Sequence, residues 1–195
     1  MTAIVILAAG ASTRLGRPKQ NLIYKSETLL NKVLTAAKAV ADNIYIVVGA
    51  HSDVVRSGIA EDNVTVLNNP DWATGMASSI HVAVNHMMQN QPSITAILFL
   101  VCDQPHVNAE LLKHIIERAK ASEKGIIACN YSNTLGVPAL FKQQYFNDLL
   151  KLKGQEGAKK LLIAHQADVE AAPFALGNID IDTEEDYKKL TSQYN

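Results

Sequence analysis

The chain has 195 residues, with 18 Lys plus Arg against 19 Asp plus Glu, for a formal net charge of −1. That balance disfavours broad binding to nucleic acid or a membrane surface, both of which need excess cations, and leaves room only for a local basic site. With 48% hydrophobic and 19% charged residues the sequence reads as globular, able to bury a core without disulfides or metal, and its length predicts a single domain over residues 1–195.

The first predicted element is a buried strand, Ala3-Ile4-Val5-Ile6-Leu7. It runs into Ala8-Ala9-Gly10-Ala11-Ser12-Thr13-Arg14-Leu15-Gly16-Arg17-Pro18-Lys19-Gln20. Small residues from Ala8 to Thr13 let a backbone approach a ligand closely and turn N–H groups toward it. Arg14, Arg17 and Lys19 then supply fixed positive charge, and a triphosphate needs both features. The alternative is a solvated basic loop. Neither standard nucleotide motif is present: the glycine spacing is wrong for a Walker A loop, and there is no G-x-G-x-x-G.

Leu29, Leu30, Val33, Leu34 and Ala37 recur at helical spacing, and Ile44 to Val48 reads as a second buried strand. Val64-Thr65-Val66-Leu67 is a shorter strand candidate, followed by a helix opening near Gly75 and running toward Met88. Ile94 to Val101 is the strongest strand, and Leu111, Leu112, Ile115, Ile116 and Ala119 predict a helix capped by Asn108. Beyond Gly125 the reading is a strand at Ile126 to Cys129, a short proline-broken one at Val137 to Phe141, and helices over 143–150 and 155–165, with antiparallel strands at the sheet's edge. The alternation predicts an α/β fold, a mostly parallel sheet with helices on both faces, whose ligand sits at the loops after Leu7 and Val101. The longest apolar run is eight residues, short of a membrane span, and Met1-Thr2-Ala3-Ile4 has no basic leader region, so the cytoplasm is the expected location. Cys102 and Cys129 read as buried reduced thiols.

Asp103 closes the strongest strand, and a carboxylate facing a triphosphate calls for an intervening cation, Mg²⁺ being the economical choice; a turn or capping Asp before Pro105 is the other reading. Asp180 and Asp182, two apart on an extended segment, would face the same side. Thr183 to Asp186 reads as a capping box. Gly75, Ser78 and Ser79 suit either nucleotide contact or simple helix capping. Trp72 reads equally as a stacking platform or a core anchor. His81 and His86 make a poor metal pair, and His106 reads as an exposed loop residue.

Taken together, Leu7 to Gly16 with Lys19, Asn69-Pro70-Asp71-Trp72 with Gly75 to Ile80, Cys102-Asp103-Gln104-Pro105, Gly136 to Phe141, Gly154 to Ala158 and Asp180 to Asp186 resemble the MobA-like NTP transferases, in particular their molybdenum cofactor cytidylyltransferase group. The resemblance implies a Rossmann-like fold of the GT-A nucleotidyltransferase type and transfer of CMP from CTP to molybdopterin with Mg²⁺. It implies nucleotide binding by Leu7, Ala8, Ala9, Gly10, Ser12, Arg14, Lys19, Gly75, Ser78 and Ser79. Arg14, Lys19 and Asp103 are its catalytic candidates, and Asp103 and Asp182 its metal ligands, with Asp180 as substitute for Asp182. Ala9 resembles the cytidylyl members, where guanylyl members carry a second Gly. Gln155 and Lys159 stand where relatives often have Asp and Arg, which leaves another acceptor or another nucleotide as the runner-up. A non-catalytic carrier delivering cofactor to a molybdenum hydroxylase of the xanthine dehydrogenase type, and a flavin or nicotinamide oxidoreductase, are the readings from other classes.

Overall fold

The computed structural model describes residues 1–59 and 63–192. The strands are β1 (Thr2–Ala8), β2 (Ile23–Tyr24), β3 (Glu27–Thr28), β4 (Ile44–Val48), β5 (Thr65–Asn68), β6 (Ala96–Val101), β7 (Ile126–Tyr131), β8 (Thr134–Lys142) and β9 (Val169–Pro173). The helices are α1 (Leu29–Lys38), α2 (Ser52–Ser57), α3 (Met76–Asn90), α4 (Ala109–Ala121), α5 (Phe146–Leu149), α6 (Lys159–Ala164) and α7 (Glu184–Ser192). Seven strands form one sheet in the order β5-β4-β1-β6-β8-β7-β9, and β2 and β3 form a separate small hairpin.

Period-two patterning within continuous apolar runs explains the layers. Ile4, Ile6 and Ala8 of β1 point into one core with Ile44, Ile46 and Leu98, beneath Leu30 and Val33 of α1 and Leu112 and Ile115 of α4. Val5, Leu7 and Ala9 point to the opposite core with Val47, Ile97 and Phe99, beneath Ile80 and Val84 of α3. Each fully buried Ile, Leu or Val contributes about 1.5–3 kcal/mol, so both faces of the central strands have to be covered. Thr28 caps α1 by accepting from Asn31 N at 3.1 Å, and Asn108 caps α4 by accepting from Leu111 N at 2.9 Å.

The mostly parallel sheet with helices on both faces matches the α/β expectation. β1 pairs in parallel with β4 on one side and with β6 on the other, Leu7 lying opposite Val101. The chain therefore leaves β1 and β6 at adjacent carboxyl ends in different directions, the switch point at which open α/β sheets bind ligands.

Three sequence expectations need correction. Val137 to Phe141 is part of a nine-residue strand, β8, and that strand is interior, flanked by β6 and β7. Pro138 is tolerated there because the β7–β8 register slips between Ala128 and Cys129, so the ladder asks for no N–H at that point. The helix expected over 155–165 is confined to α6, since Gly154 takes φ +55° and Lys153 N donates to Glu156 Oε2 at 2.8 Å in a turn that precedes it. Asp180 to Asp182 lie in an irregular segment, held where Ile181 N donates to the carbonyl of Asp103 at 3.0 Å. Among the described residues no helix is long and apolar enough to cross a membrane.

Candidate active site

A cleft of about 340 Å³ opens at the carboxyl ends of β1 and β6. Its floor is the loop that begins at Leu7, and Ala8, Ala9, Gly10 and Ser12 line it together with Lys19. Gly75 and Ser79 form the facing wall, and Asp103 stands at the β6 end. Ser12 adopts φ +52°, so the chain reverses there; Leu15 N and Gly16 N both donate to its carbonyl, and its hydroxyl accepts from Lys19 N at 3.1 Å. The turn brings Lys19 back beneath the loop.

Lys19 is the centre of the charge arrangement. Its Nζ donates to Asp103 Oδ2 at 2.6 Å and to Asp182 Oδ1 at 2.9 Å, and Arg14 donates to the other oxygen of Asp182 at 2.8 Å. The Lys19 and Asp103 side chains are each only 17% exposed, so this pairing is screened far less than a surface ion pair. Burial alone would push the Lys19 ammonium down, but Asp103 and Asp182 outweigh it and hold the group above its ordinary value. Asp182 is disfavoured as a carboxylate by burial and favoured more strongly by Lys19 and Arg14, which leaves it below the usual carboxylate range. Asp180, raised by burial and by the neighbouring carboxylates of Asp103 and Asp182, belongs to the same acidic group.

Asp182 reaches Lys19 across 163 positions of sequence because the segment before α7 is anchored from below. Ile181 and Leu190 pack with Leu15, Leu22 and Leu29 in a third apolar cluster. The Thr183–Asp186 capping box forms as expected: Asp186 N donates to Thr183 Oγ1 at 3.2 Å, and Thr183 N to Asp186 Oδ2 at 2.8 Å. Arg17 points away from the cleft, pairing with Glu184 at 2.9 Å and lying 5.4 Å from the centre of the Tyr187 ring. It ties the loop to α7.

The facing wall is organised by Asn69, a buried residue that heads one of the sequence motifs but is given no role of its own by the sequence. Its Nδ2 donates to Ser78 Oγ at 2.8 Å and to Ser79 Oγ at 2.9 Å, while its Oδ1 accepts from Asp71 N at 3.0 Å. Ser78 also donates to the carbonyl of Gly75, so its hydroxyl is spent within the wall and it does not line the cleft. Gly75, at φ +120°, leaves no room for a side chain because the backbone of Gly154 packs against it. Arg14 and Asp182 likewise stand outside the cleft lining, on its charged rim. Trp72 is 37% exposed and borders the cleft with Met76 and Gln155, which makes it a wall residue and not a core anchor. Cys102 also borders it, buried, with its thiol pushed up to about 12 chiefly by burial, so it is a protonated thiol at neutral pH. His106 is half-buried, not exposed, does not line this cleft and stands edge-on to Tyr24 at 6.5 Å.

Two further residues bond to the loop itself: Gln20, which the sequence places at the loop's end without a role, and His51, which carries no sequence signal. Gln20, buried, donates from Nε2 to the carbonyl of Ala8 at 2.7 Å and more weakly to that of Gly10 at 3.4 Å. His51 places Nε2 3.1 Å from the carbonyl of Ala11. A second cleft, also about 340 Å³, shares Val101 and Asp103 with the first and is otherwise bordered by Gln104, Tyr131, Asn178 and Asp180. A larger concavity of about 750 Å³ at the opposite edge of the sheet, near Met1, Asp42 and Lys142, gathers no comparable set of converging charges.

The described residues contain no group of three or more His, Cys, Asp or Glu side chains suited to a metal. A carboxylate pair already bridged by one cation, the Lys19 ammonium, nevertheless fits Mg²⁺, which is commonly held by one or two carboxylates with substrate phosphates and water completing the shell.

A small-residue loop at the switch point, with a lysine and two carboxylates converging beside it, is chemically suited to a polyphosphate and its cation. Residues 4–169 match the MobA-like NTP transferase domain, and the chain belongs to that family of nucleotidyltransferases. Among curated proteins it is similar to the molybdenum cofactor cytidylyltransferase of Escherichia coli K12, 24% identical over all of this chain and 98% of that protein. It is also similar to the bifunctional protein GlmU of Pseudomonas syringae pv. syringae, 24% identical over 88% of this chain, which spans only 38% of that longer protein. Among solved structures, Rv0371c of Mycobacterium tuberculosis H37Rv superposes with a TM-score of 0.84 at 31% identity, covering 98% of this chain and 97% of that one. A complex of Rv0371c with manganese, 30% identical, superposes with a TM-score of 0.78 over 98% of this chain and 97% of that one.

Proposed function

We propose that the protein transfers CMP from CTP to the terminal phosphate of a molybdopterin-type acceptor, with Mg²⁺ and release of pyrophosphate. The observation that carries the reading is the meeting of Lys19, Asp103 and Asp182 beside a cleft-lining loop in which the N–H groups of Gly10 to Thr13 have no acceptor among the described residues. Full-length similarity to a cytidylyltransferase of the molybdenum cofactor supports the donor and the acceptor, and Ala9 supports the base.

The acceptor phosphate monoester has a second pKa of about 6, so at neutral pH it is already a nucleophile and needs no general base. The chain's task is then to bind and aim. The loop from Ala8 to Ser12 receives the triphosphate oxygens. Lys19 and Arg14 offset the charge carried by the leaving pyrophosphate. Asp103 and Asp182 are the residues that would hold Mg²⁺, which supplies charge neutralisation at the phosphoryl oxygens when bound. Asp103 borders both clefts, which supports a reading with the nucleotide in the first and the acceptor approaching from the second. The product would pass to a molybdenum hydroxylase in the cytoplasm.

Gln155 borders the nucleotide cleft, so its departure from the Asp of many relatives bears on the nucleotide more than on the acceptor. That favours a second reading, a transferase for another nucleotide, and base preference has to be measured directly. Trp72 is the single tryptophan of the chain, which makes its fluorescence a local reporter of the cleft. Titration with CTP and Mg²⁺ is expected to change that signal at concentrations at least about 10-fold lower than GTP requires, a difference of roughly 1.4 kcal/mol. Equal response to both nucleotides would remove the assignment to CTP, and no response to either would remove the nucleotide from this cleft.

A further inference from the structure

We propose that Gln20 and His51 are positioning residues that aim the loop's backbone N–H groups at the polyphosphate, an inference that rests on reading this loop as the nucleotide's phosphate cradle. The argument begins with the peptide unit. It is planar and trans, so the C=O of one residue and the N–H of the next point in opposite directions. Whatever holds the carbonyl therefore fixes the aim of the following N–H. Gln20 holds the carbonyl of Ala8 at 2.7 Å and bears on that of Gly10 at 3.4 Å, which turns the N–H groups of Ala9 and Ala11 away from it. His51 at 3.1 Å from the carbonyl of Ala11 does the same for Ser12. A carbonyl can only accept, so this contact requires the proton of the neutral ring to be on Nε2.

The remaining carbonyls are held by backbone. Ala50 N donates to Ala9 O at 3.1 Å, and Leu15 N and Gly16 N donate to Ser12 O. Every carbonyl from Ala8 to Ser12 thus has a donor, while the N–H groups of Gly10, Ala11, Ser12 and Thr13 donate to nothing among the described residues. A loop of small residues left to itself would hydrate both sets alike and sample many orientations. The asymmetry comes from two side chains reaching in from neighbouring segments, Gln20 from the turn after Pro18 and His51 from the start of α2. The Gln20 amide cannot be reversed without setting its Oε1 against two carbonyls, and that Oε1 is buried with no protein partner. Donors aimed before the ligand arrives cost no reorganisation when it binds, which is the source of their strength toward anions.

The consequence is a loss of affinity that grows with phosphate number, which a general structural defect would not produce. The test titrates CMP, CDP and CTP, each with Mg²⁺, against Trp72 fluorescence in the wild type and in Gln20→Met, His51→Leu and His51→Gln. The wild type is expected to bind CTP more tightly than CMP. Gln20→Met and His51→Leu should each weaken CTP about 10-fold and CMP less than about 2-fold, the scale of one hydrogen bond to a charged group. His51→Gln, whose amide can again donate, should recover most of the difference. If buried Gln20→Met does not fold by circular dichroism, the two variants at half-buried His51 decide the matter. Equal losses for CMP and CTP, or unchanged CTP binding in His51→Leu, would overturn the inference. A wild type that does not distinguish CTP from CMP would overturn the phosphate-cradle reading beneath it.

Discussion

Asp103→Ala is expected to lower pyrophosphate release by about 10³-fold or more while leaving a folded protein that still binds CTP. The magnitude follows from removing one of the two carboxylates proposed to hold the Mg²⁺ that would neutralise charge developing during transfer, where single deletions of such support commonly cost about 10²–10³-fold, with added loss because Asp103 borders both clefts. The fold should survive because alanine keeps the bond from Ile181 N to the carbonyl of residue 103 at 3.0 Å, and Lys19, on losing Asp103, still has Asp182 at 2.9 Å as its counter-charge. Steady-state rates with near-ultraviolet circular dichroism separate the two effects. Residual activity within about 10-fold of wild type would remove Asp103 from the reacting centre.

Lys19→Met is expected to move two affinities in opposite directions. The ammonium serves two carboxylates at 2.6 and 2.9 Å, and in the proposed reaction it also serves the triphosphate. Without it CTP should bind about 10- to 100-fold more weakly, the range for one charge-assisted hydrogen bond to an anion. Divalent metal should bind more tightly in the absence of nucleotide, by about 10-fold, because Asp103 and Asp182 are then left without the cation between them and their mutual potential favours a replacement. Mn²⁺ titration followed by electron paramagnetic resonance reads the second change without any turnover. For the same reason Mn²⁺ should raise the melting temperature of Lys19→Met more than that of the wild type. Weaker Mn²⁺ binding in the variant would mean that the lysine supports the metal ligands and does not compete for them.

The parts of the fold that were legible in the sequence are those whose signal is local. β1, β4 and β6 are continuous apolar runs because both faces of a central parallel strand are buried, and α1 and α4 carry both their apolar stripe and their cap within a dozen residues. The position of the loop after β1 was legible for the same reason, since a row of small residues followed by cations breaks the apolar run where the strand ends. Pro138 misled because a proline inside a strand normally ends it, whereas here Val137 and Pro138 drop out of the ladder between the Gly136 and Ala139 pairings and the strand continues past them. The helix over 155–165 was overextended because its apolar periodicity continues through a turn that glycines decide.

The site was legible in its residue types and much less in its connections. That Lys19 would stand between Asp103 and Asp182 depends on Leu15 and Ile181 sharing an apolar cluster, a contact that no spacing reveals. Gln20, His51 and Asn69 act on backbone carbonyls and on neighbouring hydroxyls, so their side chains carry no chemical signature of their own. The only signal in reach was position: Gln20 follows the lysine directly, and a polar side chain that is buried must have a partner.

Pyrophosphate release with Mg²⁺ and molybdopterin cofactor, measured with CTP, GTP and ATP offered separately, is the most direct test of the transfer itself. Release with CTP and little with the other two is the expected result. Silence with all three, in a preparation whose Trp72 fluorescence responds to CTP, would contradict the molybdopterin acceptor and turn the second cleft toward a different phosphate monoester.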